Sequence, residues 1–234
     1  MTDAYVGWKH WKPEDFGRFS ENERTYFDWH LKRACAQSPA RLRILEIGFG
    51  NGSFMGWARQ LGHDVSGVEL SEELVQRARL AGFDAATDLR EFPETTAFDL
   101  IVGFDVIEHI DLENLKSWLQ TLASRLTPEG RMMFRFPNAE SPLGAVYQNG
   151  DITHVTRLGV SSMRQICGLT GLELICSGNT LPWRAMPLKK RPRQLVAHLV
   201  RRFIEWILAR NLYGHWVNVA PNELVVLCRP VSAA

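Results

Sequence analysis

The chain has 234 residues, which suits one or two domains. Hydrophobic residues at 45% and charged residues at 23% exclude a largely disordered chain. A formal charge of +1, from 27 basic and 26 acidic groups, argues against a generally basic nucleic-acid binder. That balance is a cancellation. Residues 1–183 hold 18 basic and 24 acidic groups, a net of −6, whereas residues 184–234 hold 9 and 2, a net of +7.

Residues 1–40 are polar and aromatic, with Trp8, Trp11 and Trp29 among them and a helix predicted over Glu21–Ala36. Ser20 and Glu23 have the spacing of a capping box at its start. From Arg41 short apolar runs alternate with amphipathic segments, the pattern of a parallel α/β sheet. Strands are predicted at Leu42–Ile47, Asp64–Glu69, Phe83–Ala86, Phe98–Phe104 and Arg131–Phe136. Helices are predicted at Gly52–Leu61, Ser71–Ala81, Leu112–Leu126 and Val160–Leu169. Two further β-prone runs, Leu172–Ser177 and Glu223–Cys228, enclose an insertion of some 40 residues. The organisation read from this is an N-terminal segment 1–40, a core 41–180, a basic insertion 181–221 and a final strand and tail 222–234.

Four cysteines without a CxxC pair or metal-ligand spacing fit a reduced, cytoplasmic protein with no metal. The first residues have no apolar core of a secretory signal, and no uncharged apolar stretch approaches a bilayer span of about 18 residues.

The segment ILEIGFGNGSF runs a buried strand into Glu46, Gly48, Gly50 and Gly52 before a helix. Such glycines let the backbone turn sharply and let a ligand lie on the main chain. A dinucleotide fingerprint needs a glycine where Ser53 stands, so a nicotinamide cofactor is disfavoured. Glu46 instead suits a cationic amino group, which a pyrophosphate cofactor lacks. Glu69, in Val68-Glu69-Leu70, suits two ribose hydroxyls, and Asp88, in Thr87-Asp88-Leu89, suits an adenine amino group. The alternatives are a strand-end acid at Glu46, a turn residue at Asp88 and a helix cap at Asp105.

EIGFGNG, VEL and FDVIEHI, in that order over about residues 40–180, resemble the class I S-adenosylmethionine (SAM)-dependent methyltransferases. The last motif is similar to the branch containing the ubiquinone-biosynthesis methyltransferases. The resemblance implies a Rossmann-like, doubly wound, seven-stranded, mainly parallel sheet with an antiparallel last strand. It implies SAM as cofactor, with S-adenosylhomocysteine (SAH) as its product. Glu46 and the Gly48–Gly52 loop would hold the methionine end, Glu69 and Leu70 the ribose, Asp88 and Leu89 the adenine. Phe104 and Asp105 would line the pocket beside the sulfonium.

A hydroxyl acceptor needs a base. His109 follows the fourth strand of the motif series, and His154 lies in a loop at the same sheet edge with Asp151 three residues before it. Asp151 would orient His154. Structural roles for all three stay open, as does a metal site on Asp151, His154 and a third ligand.

RFPNAESPLGAVYQNGDITHVTRLG resembles a narrower set of bacterial surface-polysaccharide methyltransferases. That implies a sugar hydroxyl of a lipopolysaccharide or capsule as acceptor, bound by Asn138, Ser141, Tyr147 and Gln148, with Trp8 or Trp11 completing an aromatic wall. A quinone-like lipophilic acceptor is the alternative, and a non-catalytic SAM-binding protein the competing class. Residues 184–210 carry eight Lys or Arg and one acid beside an apolar helix face. They suit an anionic membrane surface, another subunit or a structural cover; nucleic acid lacks support, since no base-methylating motif occurs.

Overall fold

The computed structural model describes residues 11–35 and 41–230. Trp8 and Ala36, both named above, lie outside the described residues.

The elements are α1 (Glu21–Ala34), β1 (Arg43–Ile47), α2 (Ser53–Gln60), β2 (Asp64–Val68), α3 (Glu72–Leu80), β3 (Asp84–Ala86) and β4 (Phe98–Phe104). They continue with α4 (Leu112–Ser124), β5 (Leu126–Pro137), α5 (Ala145–Asn149), α6 (Val160–Thr170), β6 (Glu173–Ser177), α7 (Arg191–Leu208) and β7 (Asn222–Cys228). Both halves of the predicted capping box form: the Ser20 hydroxyl accepts from the Glu23 N–H at 3.2 Å, and the Ser20 N–H donates to the Glu23 carboxylate at 2.7 Å.

The seven strands make one sheet in the order β3-β2-β1-β4-β5-β7-β6, with β1 to β5 parallel and β7 antiparallel to both neighbours. The expected Rossmann-like architecture is therefore present. Because side chains alternate across a strand, both faces of the central strands are apolar. Leu45, Ile101, Met132, Phe134 and Val225 face α4 and α6, whereas Ile44, Val102, Met133 and Val226 face α1 and α2. β7 sits between β5 and β6, so the last strand is an internal part of the same sheet.

α1 closes one side through Phe27, which packs on Phe54, Trp57 and Phe104. The Trp57 indole N–H donates to Asp28 at 3.1 Å, pinning α1 to α2. Gly56 allows the closest approach. A Cβ there would sit 1.9 Å from the Gly17 carbonyl oxygen, so the segment before α1 lies directly on α2.

The strand order reverses between β1 and β4, which pair side by side. Loops leaving their carboxyl ends diverge, opening the crevice where open α/β sheets take ligands.

Candidate active site

A cavity of about 1420 Å³ occupies that crevice. Its floor is the β1–α2 loop. Gly48, Gly50 and Gly52 all have positive φ, from 53° to 70°, a backbone that only glycine adopts without strain. The side-chain space those glycines forgo is filled by the protein itself. A Cβ would meet Val106 at Gly48, the Trp11 ring at Gly50 and the Phe16 ring at Gly52. Gly48 and Gly50 line the cavity; Gly52 does not, because it begins α2 beneath Phe16. Trp11, named above for an aromatic wall, lines the cavity.

Glu46, at the end of β1, is buried with only 4% exposure, yet its Oε2 has no hydrogen-bond partner. Burial, with the nearby Glu69 charge adding to it, holds its carboxyl well above the usual carboxylate range, against a backbone N–H bond from Met55. Glu69 accepts from the Gly50 N–H at 3.1 Å and the Ser71 N–H at 3.3 Å, which braces the glycine loop. Two buried acids line the cavity, and one Glu46 oxygen has no hydrogen-bond partner; Arg135 attracts that carboxyl but is bonded to Asp105. This donor set fits a ligand bearing an ammonium group and ribose hydroxyls.

Leu70, Asp88 and Leu89 also line the cavity. Asp88 additionally organises its own turn: it accepts from the Arg90 N–H at 2.8 Å and pairs with the Arg90 guanidinium, which lowers its pKa to about 2. The turn alternative thus coexists with cavity exposure. Phe104 and Asp105 are in the wall. Asp105 is the one described non-glycine residue with positive φ, 58°, and is held there by a two-pronged ion pair with Arg135.

The acceptor-side expectations need rearranging. His109 lines the cavity, but His154 and Asp151 do not. The loop carrying them is tied to the turn after β4, since the Glu108 carbonyl accepts from the Val155 and Thr156 N–H groups, both at 3.0 Å. Asp151 does not orient His154. It accepts from Thr153 Oγ1 at 2.6 Å, and Thr153 Oγ1 and its carbonyl stand 3.0 and 3.1 Å from His109 Nδ1. With the threonine proton committed to Asp151, Nδ1–H donates and the lone pair of His109 lies on Nε2. Burial lowers the pKa of His109, which favours its neutral ring.

His154 packs behind it, rings 4.8 Å apart, with Nδ1 bonded to the Gln148 carbonyl at 3.1 Å and Nε2 3.8 Å from Glu108. Its carboxylate neighbour is therefore Glu108, a residue the motif contains and spacing alone did not single out. Glu108 is 1% exposed, has neither carboxyl oxygen bonded, and its pKa is pushed up to about 8 by burial. Glu108, His109 and His154 each bring one donor atom within 4.8 Å of the others, a grouping able to hold a metal ion. Asp151, the ligand first considered, belongs to the outer layer.

The four expected acceptor contacts are placed elsewhere. Asn138, Ser141 and Gln148 are buried and do not line the cavity. Asn138 bonds Glu140, Ala220 and Glu223; Ser141 accepts from Leu143; Gln148 donates to the Thr156 carbonyl. Their bonded groups shape the chain after β5, while Gln148 Oε1 is buried without a partner. Tyr147 is exposed, away from the cavity. The cavity lining is mixed: Val106, Ile110, Trp118, Leu122 and Met186 are among its apolar residues, and Asn22, Glu23, Thr121, Arg125 and Arg135 among its polar ones.

A crevice of this kind at the switch point of this sheet defines a class I SAM-dependent methyltransferase, with SAM as cofactor. Residues 19–177 match a family described as a methyltransferase domain, and the chain belongs to that family. It is similar to the ubiquinone biosynthesis O-methyltransferase of Azoarcus sp. (strain BH72), 25% identical over 187 residues that span 70% of this chain and 78% of that one. Among solved structures, a SAM-dependent methyltransferase from Archaeoglobus fulgidus has a TM-score of 0.61 at 18% identity, covering 96% of this chain and 99% of its own. One from Mesorhizobium loti has a TM-score of 0.59 at 19% identity, covering 87% and 98%. Among the described residues no helix is long and apolar enough to cross a membrane.

Proposed function

We propose that this enzyme methylates a hydroxyl group on a small, largely apolar acceptor, with His109 as the base. SAM supplies a methyl group activated on a sulfonium. Glu46, Glu69 and the glycine loop would hold its amino and ribose groups, and Leu70, Asp88 and Leu89 would flank its adenine. His109 Nε2 would take the proton of the acceptor hydroxyl, while Asp151, through Thr153, would keep the imidazole in the required tautomer; bound SAM would give up its methyl group and leave as SAH. The observation that carries this reading is an imidazole at the cavity wall whose Nδ1 is held by Thr153, in a lining that also brings Val106, Ile110 and Trp118. The printed name of the Azoarcus relative agrees with O-methylation.

The surface-glycan acceptor rests on the sequence resemblance of the segment after β5. It has weaker support, because Asn138, Ser141 and Gln148 spend their hydrogen bonds inside the fold. A second mechanism is favoured by one observation, the buried and unbonded carboxylate of Glu108 beside two imidazoles anchored at Nδ1. Glu108, His109 and His154 would then hold a divalent cation, whose chemistry would be to acidify the acceptor hydroxyl.

The test is transfer of labelled methyl from SAM to simple catechols and hydroquinones, compared with oligosaccharides, before and after chelation. Transfer to the phenols that falls by about two orders of magnitude or more in His109→Ala supports the base assignment. Loss on chelation with recovery on adding a divalent ion selects the cation mechanism. Methylation of oligosaccharides alone overturns the apolar acceptor.

A further inference from the structure

The amphipathic helix of the insertion is turned inside out. Its polar stripe faces the protein: Glu205 is 2% exposed, accepts from the Arg202 guanidinium at 3.1 Å and lies 3.5 Å from the Val219 N–H. On the same inner side Arg201 donates to the Thr180 hydroxyl. Arg202 also stacks on the Trp216 ring at 4.1 Å. The apolar stripe at three- and four-residue steps faces outward, with Val196, Leu199, Val200, Phe203 and Trp206 all at least half exposed. An outward row of this kind on one helix is not the scatter of single apolar residues that ordinary surfaces carry.

The charges around the row choose its occupant. Arg184, Lys189, Arg193 and Arg210 are exposed around the helix, and the segment's one acid, Glu205, is the buried one. A two-fold contact between copies would set this cationic patch against itself. An anionic surface with an apolar interior satisfies both parts at once, with Trp206 suited to the boundary between headgroups and acyl chains. The helix is too polar to cross a bilayer and suits lying along one.

We propose that α7 docks this enzyme on the surface of a membrane rich in anionic lipid, apolar row down. Leu181 and Met186 of the same insertion line the catalytic cavity, so the docking segment adjoins that cavity. Delivery of a lipophilic acceptor from the membrane rests on the function proposed above; the docking itself does not.

The test is co-sedimentation of the full chain with phosphatidylcholine vesicles and with vesicles rich in phosphatidylglycerol, at low and high salt. The expected result is binding to the anionic vesicles that drops about tenfold or more at high salt and is weak on the neutral ones. The double variant Phe203→Glu/Trp206→Glu is expected to lose about tenfold or more of that binding while keeping SAH binding and thermal unfolding unchanged. Arg193→Glu/Arg210→Glu gives an independent arm, expected to weaken only the salt-sensitive part. The proposal is overturned by an absence of binding to anionic vesicles at low salt, or by binding that both variants leave intact. A dimer in solution that Phe203→Glu/Trp206→Glu dissolves, without vesicle binding by the parent, would assign the row to a second copy instead. None of these readouts uses methyl transfer, so they stand or fall apart from the acceptor.

Discussion

Replacing Glu46 by Gln tests the cofactor geometry with two effects of opposite sign. In the ligand-free protein the carboxyl is buried, takes one backbone N–H bond from Met55, and leaves Oε2 unbonded near the Glu69 charge. Gln keeps the shape and removes the charge, so the ligand-free protein is expected to gain stability. The gain grows with pH, because a carboxyl whose folded pKa is raised loses native-state stability as pH rises from its unfolded value toward its folded one. SAM and SAH lose a charge-assisted bond from their amino group to the orphaned oxygen. Such a bond contributes about 1.5–3 kcal/mol, or about 10- to 100-fold in Kd. Calorimetric titration with SAH and thermal unfolding with and without it measure both quantities on the same samples. Unchanged SAH affinity in a folded Glu46→Gln variant would refute the placement of the amino group at Glu46.

Two further outcomes follow from packing and titration. Gly56→Ala drives a methyl into the Gly17 carbonyl at 1.9 Å, a contact backbone must yield to. A loss of about 3 kcal/mol, seen as a fall in Tm of about 6–12 °C, is expected; an unchanged Tm would mean that the segment before α1 does not lie on α2. His30 is fully buried in α1, and burial together with the Arg33 charge lowers its pKa to about 3. A base with a lowered folded pKa destabilises the native state as pH falls below its unfolded value near 6.5. Relative to His30→Leu, the parent is therefore expected to lose about 2 kcal/mol between pH 7 and about pH 5, read by denaturant unfolding at each pH. Parallel pH profiles would show that His30 is accessible to protons in the folded state.

The sheet and the cofactor side were legible in the sequence because their signals are local. A run such as Ile44, Leu45 and Ile47, broken only by Glu46 and followed by spaced glycines, states both a buried strand and the turn that ends it. Glu46, Glu69 and Asp88 each sit at a strand end, so knowing that the strands are parallel brings them to one edge. The polar residues named after β5 show where such reading stops, for a physical reason. A polar residue in a motif serves either the ligand or the backbone, and type and spacing do not tell the two apart. Asn138, Ser141 and Gln148 serve the backbone.

The histidines show the same limit at longer range. Asp151 stands three positions before His154, a spacing that invites pairing, yet the loop folds so that Asp151 reaches His109 through Thr153, which lies 44 positions from His109. What sets this is the docking of two loops, through the Glu108 carbonyl and the Val155 and Thr156 N–H groups. That docking leaves His109 at the cavity wall and His154 behind it against Glu108. The two imidazoles are thereby made unequal: one exposes its lone pair to an acceptor, and the other stands beside a buried acid. On the base reading, removing His109 then eliminates the proton acceptor, whereas removing His154 removes only its support. His109→Ala is thus the more damaging of the two if the base does the chemistry. Comparable losses in His109→Ala and His154→Ala, both tracking loss of a bound divalent ion, would mean that the pair acts as ligands.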